Sequence, residues 1–215
     1  MATFVWGDDM ILASGSPRRS ELLGRLGFEL TIIPADIDES RKDGEHPTDL
    51  VHRLACEKAH HVYDLCGVGE DGFLLAADTI VWMNDEALGK PEDDDDAKSM
   101  LRELSGRVHH VSTGVCILKR DDNQPLLEES FVETTDVHFY ELTQSQIESY
   151  VRSGECEGKA GAYAIQGTGR LLVQRIEGDY DNVVGLPVSR VARVMAALGN
   201  DNDHLLERLL EERNA

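Results

Sequence analysis

Apolar residues recur along the chain with two spacings, and the alternation between them predicts an α/β protein. "DMILA" is a short apolar run, read as a buried strand, and "SPRRSELLGRLG" after it has a helical pattern. In that helix Ser16 stands at the N-cap, Pro17 at the first helical position and Gly27 at the end. "FELTIIPA" reads as a second strand stopped by Pro34. "HPTDLVHRLACEKAHHVYDLC" places apolar residues at 51, 54, 55, 59, 62 and 65, the stripe of an amphipathic helix. "GFLLAADTIVWM" is a third strand, and "NDEALGKP" a turn with a short return.

Further on, "DDDDAKSMLRELSG" predicts a helix whose acidic entrance suits the positive end of the helix dipole, with Ser105 in the turn that ends it. "RVHHVSTGVCILK" and "SFVETTDVHFYEL" flank the turn-like "RDDNQP" and predict an antiparallel hairpin. "TQSQIESYVRSGE" opens with a capping box, Thr143 and Gln146. "LLVQRIEGDYDNVVG" is strand-like, "LPVSRVARVMAAL" helical, and "DHLLERLLEER" a terminal amphipathic helix. Helices alternating with strands early and a hairpin late predict a mixed sheet flanked by helices. No internal repeat or long linker divides the 215 residues.

Composition narrows the function classes. A net charge of −20 argues against a general nucleic-acid binder, which needs a broad basic surface. An acidic chain that binds a small polyanion must concentrate its few cations and recruit a metal. No apolar run approaches the ~20 residues of a membrane span. "MATFVWGDD" lacks a basic start and apolar core, so the expected location is cytoplasmic. The cysteines at 56, 66, 116 and 156 form no CxxC pair and are expected to be reduced, buried thiols rather than a disulfide or zinc framework.

Candidate chemistry starts at "LASGSPRRSELLG". A strand delivers small residues to a helix N-terminus, where free N–H groups favour a phosphate. Ser14 and Ser16 offer hydroxyls, Gly15 permits close approach, and Arg18 or Arg19 can clamp phosphate oxygens. It is not a Walker loop, and a capped surface helix with solvated arginines explains the same residues. Lys58 falls inside an apolar stripe, so it either snorkels to an edge or aims its ammonium at an anion. Asp78 interrupts an apolar strand, where a carboxylate must be paired, hydrogen-bonded or metal-bound. Asp36, Asp38 and Glu39 follow the second strand and can reach the same rim, completing a hard-oxygen set for magnesium. His60-His61 and His109-His110 diverge on their elements and read as solvated or packed, and Asp93–Asp96 as a solvated helix entrance.

Taken in order, "LASGSPRRSELL", "IDES", "RLACEKA", "AADTIV", "GKP", "LSGR", "TGV", "Y…GE…GKAGAYAIQG" and "VVGLP" resemble the Maf family of nucleoside triphosphate pyrophosphatases over roughly residues 10–195. The resemblance implies an elongated α/β fold like the inosine-triphosphate pyrophosphatases (Ham1), one domain of two closely joined lobes with the site between them, and commonly a homodimer. It implies cleavage between the α- and β-phosphates with a divalent cation, Mg2+ or Mn2+. Asp78 then matches the base that activates water, and Glu39, with Asp78, the metal-holding carboxylates. Ser14, Arg18, Lys58 and Lys90 match residues that surround the phosphates, and Ser16 and Lys159 are expected to join them in binding substrate. Arg19, Thr79 and Gln166 match base-recognition positions of the dTTP/UTP branch, whose "ADT" and "KAGAYAIQG" stand here in place of the 7-methyl-GTP branch's residues. The alternatives are a 7-methyl-GTP or broad house-cleaning pyrophosphatase, and a non-catalytic nucleotide-binding regulator of septum formation.

Overall fold

The structure is a computed structural model describing residues 10–69, 72–120, 126–199, 207 and 209–210. "MATFVWGDD", the "RDDNQP" turn beyond Arg120 and most of "DHLLERLLEER" lie outside the described residues, although 207, 209 and 210 are helical. Seven strands of the described residues form one sheet: β1 (Met10–Leu12), β2 (Leu30–Ile32), β3 (Phe73–Met83), β4 (Glu86–Leu88), β5 (Val108–Lys119), β6 (Leu127–Phe139) and β7 (Val173–Glu177). Their order is β2-β1-β3-β5-β6-β7, with β4 paired to β3. β1 runs parallel to β2 and β3, and the other pairs are antiparallel. The helices are α1 (Pro17–Gly24), α2 (Pro47–Cys66), α3 (Asp94–Leu104), α4 (Gln144–Arg152), α5 (Tyr180–Val184) and α6 (Val188–Leu198). No described helix is long and apolar enough to cross a membrane.

Period two in the central strands builds two cores, one on each face of the sheet. Met10, Leu12, Leu75, Ala77, Val115 and Ile117 pack with Leu22 and Leu23 of α1 and with α3 and α6. Ile11, Ala13, Leu74, Ala76, Cys116 and Leu118 face Ala55, Ala59 and Val62 of α2. β1 therefore hands the chain to a helix on one face and receives its second neighbour, β3, from a helix on the other. This is the switch-point topology whose crevice lies beyond the carboxyl ends of the strands.

The pairing of β3 opens that crevice. β5 covers residues 73–82 along one edge, while on the other edge β1 reaches only 73–75 and β4 only 81–83. Asp78 and Thr79 lie in the gap between them. On the α2 face Gly114, directly opposite Asp78 in the ladder, meets the helix backbone: a Cβ there would run into the Val51 carbonyl and stand 2.7 Å from the His52 nitrogen.

Most of the expected elements form, with four differences. α1 ends at Gly24, and Gly27, at φ 90, closes the turn after it. Ser16 occupies the N-cap without a side-chain capping bond. Leu65 is 65% exposed, because α2 outruns the sheet beneath it. "DYDNVVG" is not strand: Asp179 Oδ1 accepts from the Asp181 and Asn182 N–H groups at 2.7 and 3.3 Å and nucleates α5. The acidic entrance of α3 behaves as expected, with Asp93 accepting from the Asp95 and Asp96 N–H groups, and the Thr143–Gln146 capping box forms. All four thiols are free, but Cys66 is exposed and Cys56 only partly buried.

Candidate active site

Eleven of the residues proposed from the sequence line one cleft of about 440 Å³, and two, Asp36 and Asp38, do not. Adjacent residues on a strand face opposite ways, and the cleft uses both directions of β3. Asp78 turns to the α2 face, where Lys58 Nζ donates to its Oδ1 at 2.7 Å. The same ammonium sits 2.6 Å from Glu39 Oε1. Lys58 is thus neither snorkelling nor idle: a nearly buried cation, 10% exposed, joins two carboxylates, of which Asp78 is sheltered and Glu39 open to solvent. Asp36 and Asp38 are exposed and do not line the cleft. Asp38 instead accepts the Ser40 N–H at 2.9 Å within its own turn, so Glu39 alone represents that acidic cluster at the site.

Thr79 turns to the α1 face and meets Arg19. The guanidinium donates to Ser14 Oγ at 3.0 Å, to Thr79 Oγ1 at 2.8 Å and to the Gly185 carbonyl at 2.9 Å. Thr79 Oγ1 also lies 2.9 Å from Thr113 Oγ1. Burial lowers Arg19 to about 10, against the opposing pull of Asp78, which leaves it charged at neutral pH. Three of its five donors are therefore occupied within the protein, and it ties the strand–helix turn to the "VVGLP" segment. Arg18 beside it is exposed and faces the cleft.

The loop bearing Glu39 is held by Arg53, the first residue of "RLACEKA", and by Glu45, which no sequence pattern singled out. Arg53 on α2 grips Glu45 with two bonds of 2.7 and 2.9 Å and donates to the Ser40 carbonyl at 3.0 Å. That grip, with a smaller contribution from the Lys42 N–H, lowers Glu45 from 4.5 to about 2. Because the folded value lies below the unfolded one, the pair's contribution to stability is full above pH 4.5 and is lost as pH falls toward 2. Glu45→Gln is expected to flatten the fall of urea-unfolding stability across that window; an equally steep fall in the variant would disprove the role assigned to the pair.

The far wall comes from "GKAGAYAIQG". Lys90 and Lys159 line the rim, and the Gly161 N–H donates to the Gly89 carbonyl at 3.0 Å, which joins their two segments. Gln166 is set by a clamp on its own loop. Glu155 accepts the Thr168 and Gly169 N–H groups at 3.0 and 3.2 Å, while Arg170 donates to the Gln166 and Gly167 carbonyls at 2.7 and 2.8 Å. Tyr163, also in the wall, is within 2.8 Å of His109 Nε2 through its hydroxyl. Burial lowers His109 to about 3, so this packed histidine stays neutral. Of the supporting residues, Glu155 and Tyr163 lie inside the matched motifs and His109 was expected to be packed or solvated, whereas Arg170 carried no sequence signal.

Five cations (Arg18, Arg19, Lys58, Lys90, Lys159) and two carboxylates (Glu39, Asp78) leave the cleft with a formal surplus of three positive charges in a chain of net −20. With the switch-point fold, this defines a polyanion-binding α/β protein with acid–base groups at hand. The chain belongs to the Maf-like protein family, which its residues 9–198 match. It is 43% identical over 191 residues to the dTTP/UTP pyrophosphatase of Ruminiclostridium cellulolyticum, covering 88% of this chain and 96% of that one. It is 48% identical over 190 residues to the dTTP/UTP pyrophosphatase of Anaeromyxobacter dehalogenans, covering 88% and 94%. Among solved structures, a HAM1 protein from Coxiella burnetii shares the fold with a TM-score of 0.50 at 17% identity, over 88% of this chain and 98% of that one. The expected Ham1-like α/β fold is thereby met.

Proposed function

We propose that this protein is a nucleoside triphosphate pyrophosphatase acting on dTTP and UTP, giving the nucleoside monophosphate and pyrophosphate. The observation that carries the reading is the pairing of Asp78 with Lys58 and Glu39 inside a cation-rich cleft. Relatives over nearly their whole length bear the dTTP/UTP pyrophosphatase name, which supports this substrate pair over 7-methyl-GTP and over binding without turnover.

Ser14, Ser16, Arg18, Lys90 and Lys159 hold the triphosphate in this proposal, with the α1 N-terminus adding N–H groups uncapped by Ser16. Asp78 takes the proton of the attacking water. The water oxygen bonds to phosphorus, the bridging P–O bond breaks, and pyrophosphate leaves with the electron pair. Lys58 bridges Asp78 and Glu39 and offsets charge on the phosphates. The donor set fits a hard divalent cation, since two carboxylates already share one positive charge and Glu39 opens to solvent where waters can be retained. Glu39 and Asp78 would hold Mg2+ or Mn2+, which when bound supplies charge neutralisation and a more acidic water.

The base lies toward Arg19, Thr79 and Gln166. Arg19 and Thr79 act as one bonded unit that shapes the wall, and the Gln166 amide N–H suits a pyrimidine carbonyl. The proposal extends to a homodimer, as the family resemblance implies, and to a cytoplasmic location, and light scattering of the purified chain reads its oligomeric state. The main test is pyrophosphate release from a nucleotide panel with Mg2+ or Mn2+. Release is expected to be fastest from dTTP and UTP, and no release from any nucleotide would sink the enzyme reading. Gln166→Glu removes the donor and adds a negative charge, so the dTTP to 7-methyl-GTP rate ratio is expected to drop about tenfold, the scale of one lost buried hydrogen bond. An unchanged ratio would remove Gln166 from selectivity.

A further inference from the structure

Away from the cleft, where α2 crosses the β5–β6 hairpin, two thiols and a carboxylate converge. Cys56 of α2, Cys116 of β5 and Glu128 of β6 each bring one ligand atom, all within 4.8 Å of one another. Cys116 is fully buried and its thiol donates to Glu128 Oε1 at 3.8 Å. The other carboxylate oxygen lies 3.0 Å from His60 Nε2, one helical turn beyond Cys56. His52, one turn before Cys56, stands 3.0 Å from the hydroxyl of Ser130, which pairs with Cys116 across the hairpin. Residues 52, 56 and 60 thus form one stripe of α2 laid over the two strands.

We propose that Cys56, Cys116 and Glu128 bind a thiophilic divalent cation of the zinc class, with water completing the shell. Two sulfurs and one carboxylate oxygen are a soft to borderline set, unlike the all-oxygen carboxylates of the cleft. Ligand atoms around a tetrahedral zinc stand about 3.5 to 3.8 Å apart, so the three side chains need to close by only about 1 Å. The thiolate is the ligand form of cysteine, so binding here is coupled to loss of the thiol protons. Cys116, fully buried, brings its sulfur from the strand side while Cys56 brings one from the helix. His60, on the outer carboxylate oxygen, orients Glu128 as an outer-shell partner does. The bound ion would pin α2, which carries Lys58, to both strands of the hairpin.

The test uses the full chain, reduced with a phosphine and freed of metal, titrated first with Co2+ and then with Zn2+. Expected is a thiolate-to-cobalt charge-transfer band saturating at one ion per chain, displaced by Zn2+, and a rise in thermal midpoint with Zn2+. The band should persist in Asp78→Asn, which separates it from the cleft, and vanish in Cys56→Ser and Cys116→Ser. Glu128→Gln, at a partly exposed position that leaves the core intact, should weaken Zn2+ binding by about tenfold or more. The proposal is overturned if the reduced wild type gives no such band, if Cys56→Ser keeps it, or if Glu128→Gln binds Zn2+ as tightly as wild type. A disulfide between Cys56 and Cys116 on mild oxidation, with no cobalt band from the reduced chain, would assign the pair to redox chemistry and equally overturn it.

Discussion

Asp78→Asn is expected to slow pyrophosphate release from dTTP and UTP by about 10²- to 10⁴-fold, the usual contribution of a positioned general base. The prediction rests on what the substitution leaves unchanged. Asparagine has nearly the shape of aspartate and keeps an oxygen for Lys58, which donates to Asp78 Oδ1 at 2.7 Å. Lys58 also retains Glu39 at 2.6 Å, so the bridging ammonium keeps both of its partners. Triphosphate binding should therefore survive while proton acceptance is lost. Paired measurements of pyrophosphate release and of nucleotide binding separate the two effects. An undiminished rate would remove Asp78 as the base, and loss of binding together with rate would make it a binding group instead.

Gly114→Ala is expected to destabilise the fold by at least about 1–3 kcal/mol, the range for overpacking a filled interior, and to lower activity with it. Gly114 pairs with Asp78 across the β3–β5 ladder, and the backbone of α2 rests on it at Val51 and His52. Backbone cannot swing aside as a long side chain can, so the helix must rise from the sheet. Lys58 lies two turns along that helix and would be lifted from Asp78. Urea unfolding measures the first effect. Gly24→Ala is the control, since nothing lies within 4 Å of a Cβ at that helix end, and it should be near neutral. Wild-type stability in Gly114→Ala would show that the close approach is not needed to seat α2.

Much of the architecture is legible in the residues because periodicity is a local property. The stripe at 51, 54, 55, 59 and 62, the acidic entrance at Asp93–Asp96 and the Thr143–Gln146 capping box each dictate an element from a few neighbouring side chains. Local reading failed where a distant surface decided the outcome. Leu65 has helical phase but no sheet beneath it. "DYDNVVG" has β-branched residues, but the Asp179 cap and the burial of Asn182, which donates to the Val111 carbonyl at 2.9 Å, hold it as a helical turn.

The candidate site divides along the same line. The sequence alone marked Lys58 and Asp78 as side chains that need a partner, because a lysine within an apolar stripe and an aspartate within an apolar strand are costly without one, and it left that partner open. Only the tertiary structure decided what those partners are. Strand alternation sends Asp78 and Thr79 to opposite faces, and different helices cover those faces, so Lys58 meets one and Arg19 the other. It also chose Glu39 over Asp36 and Asp38, supplied Arg53 and Glu155 as supports, and gathered Cys56, Cys116 and Glu128 from three elements. Such pairings depend on how separate elements pack at angstrom distances, which no spacing along the chain encodes.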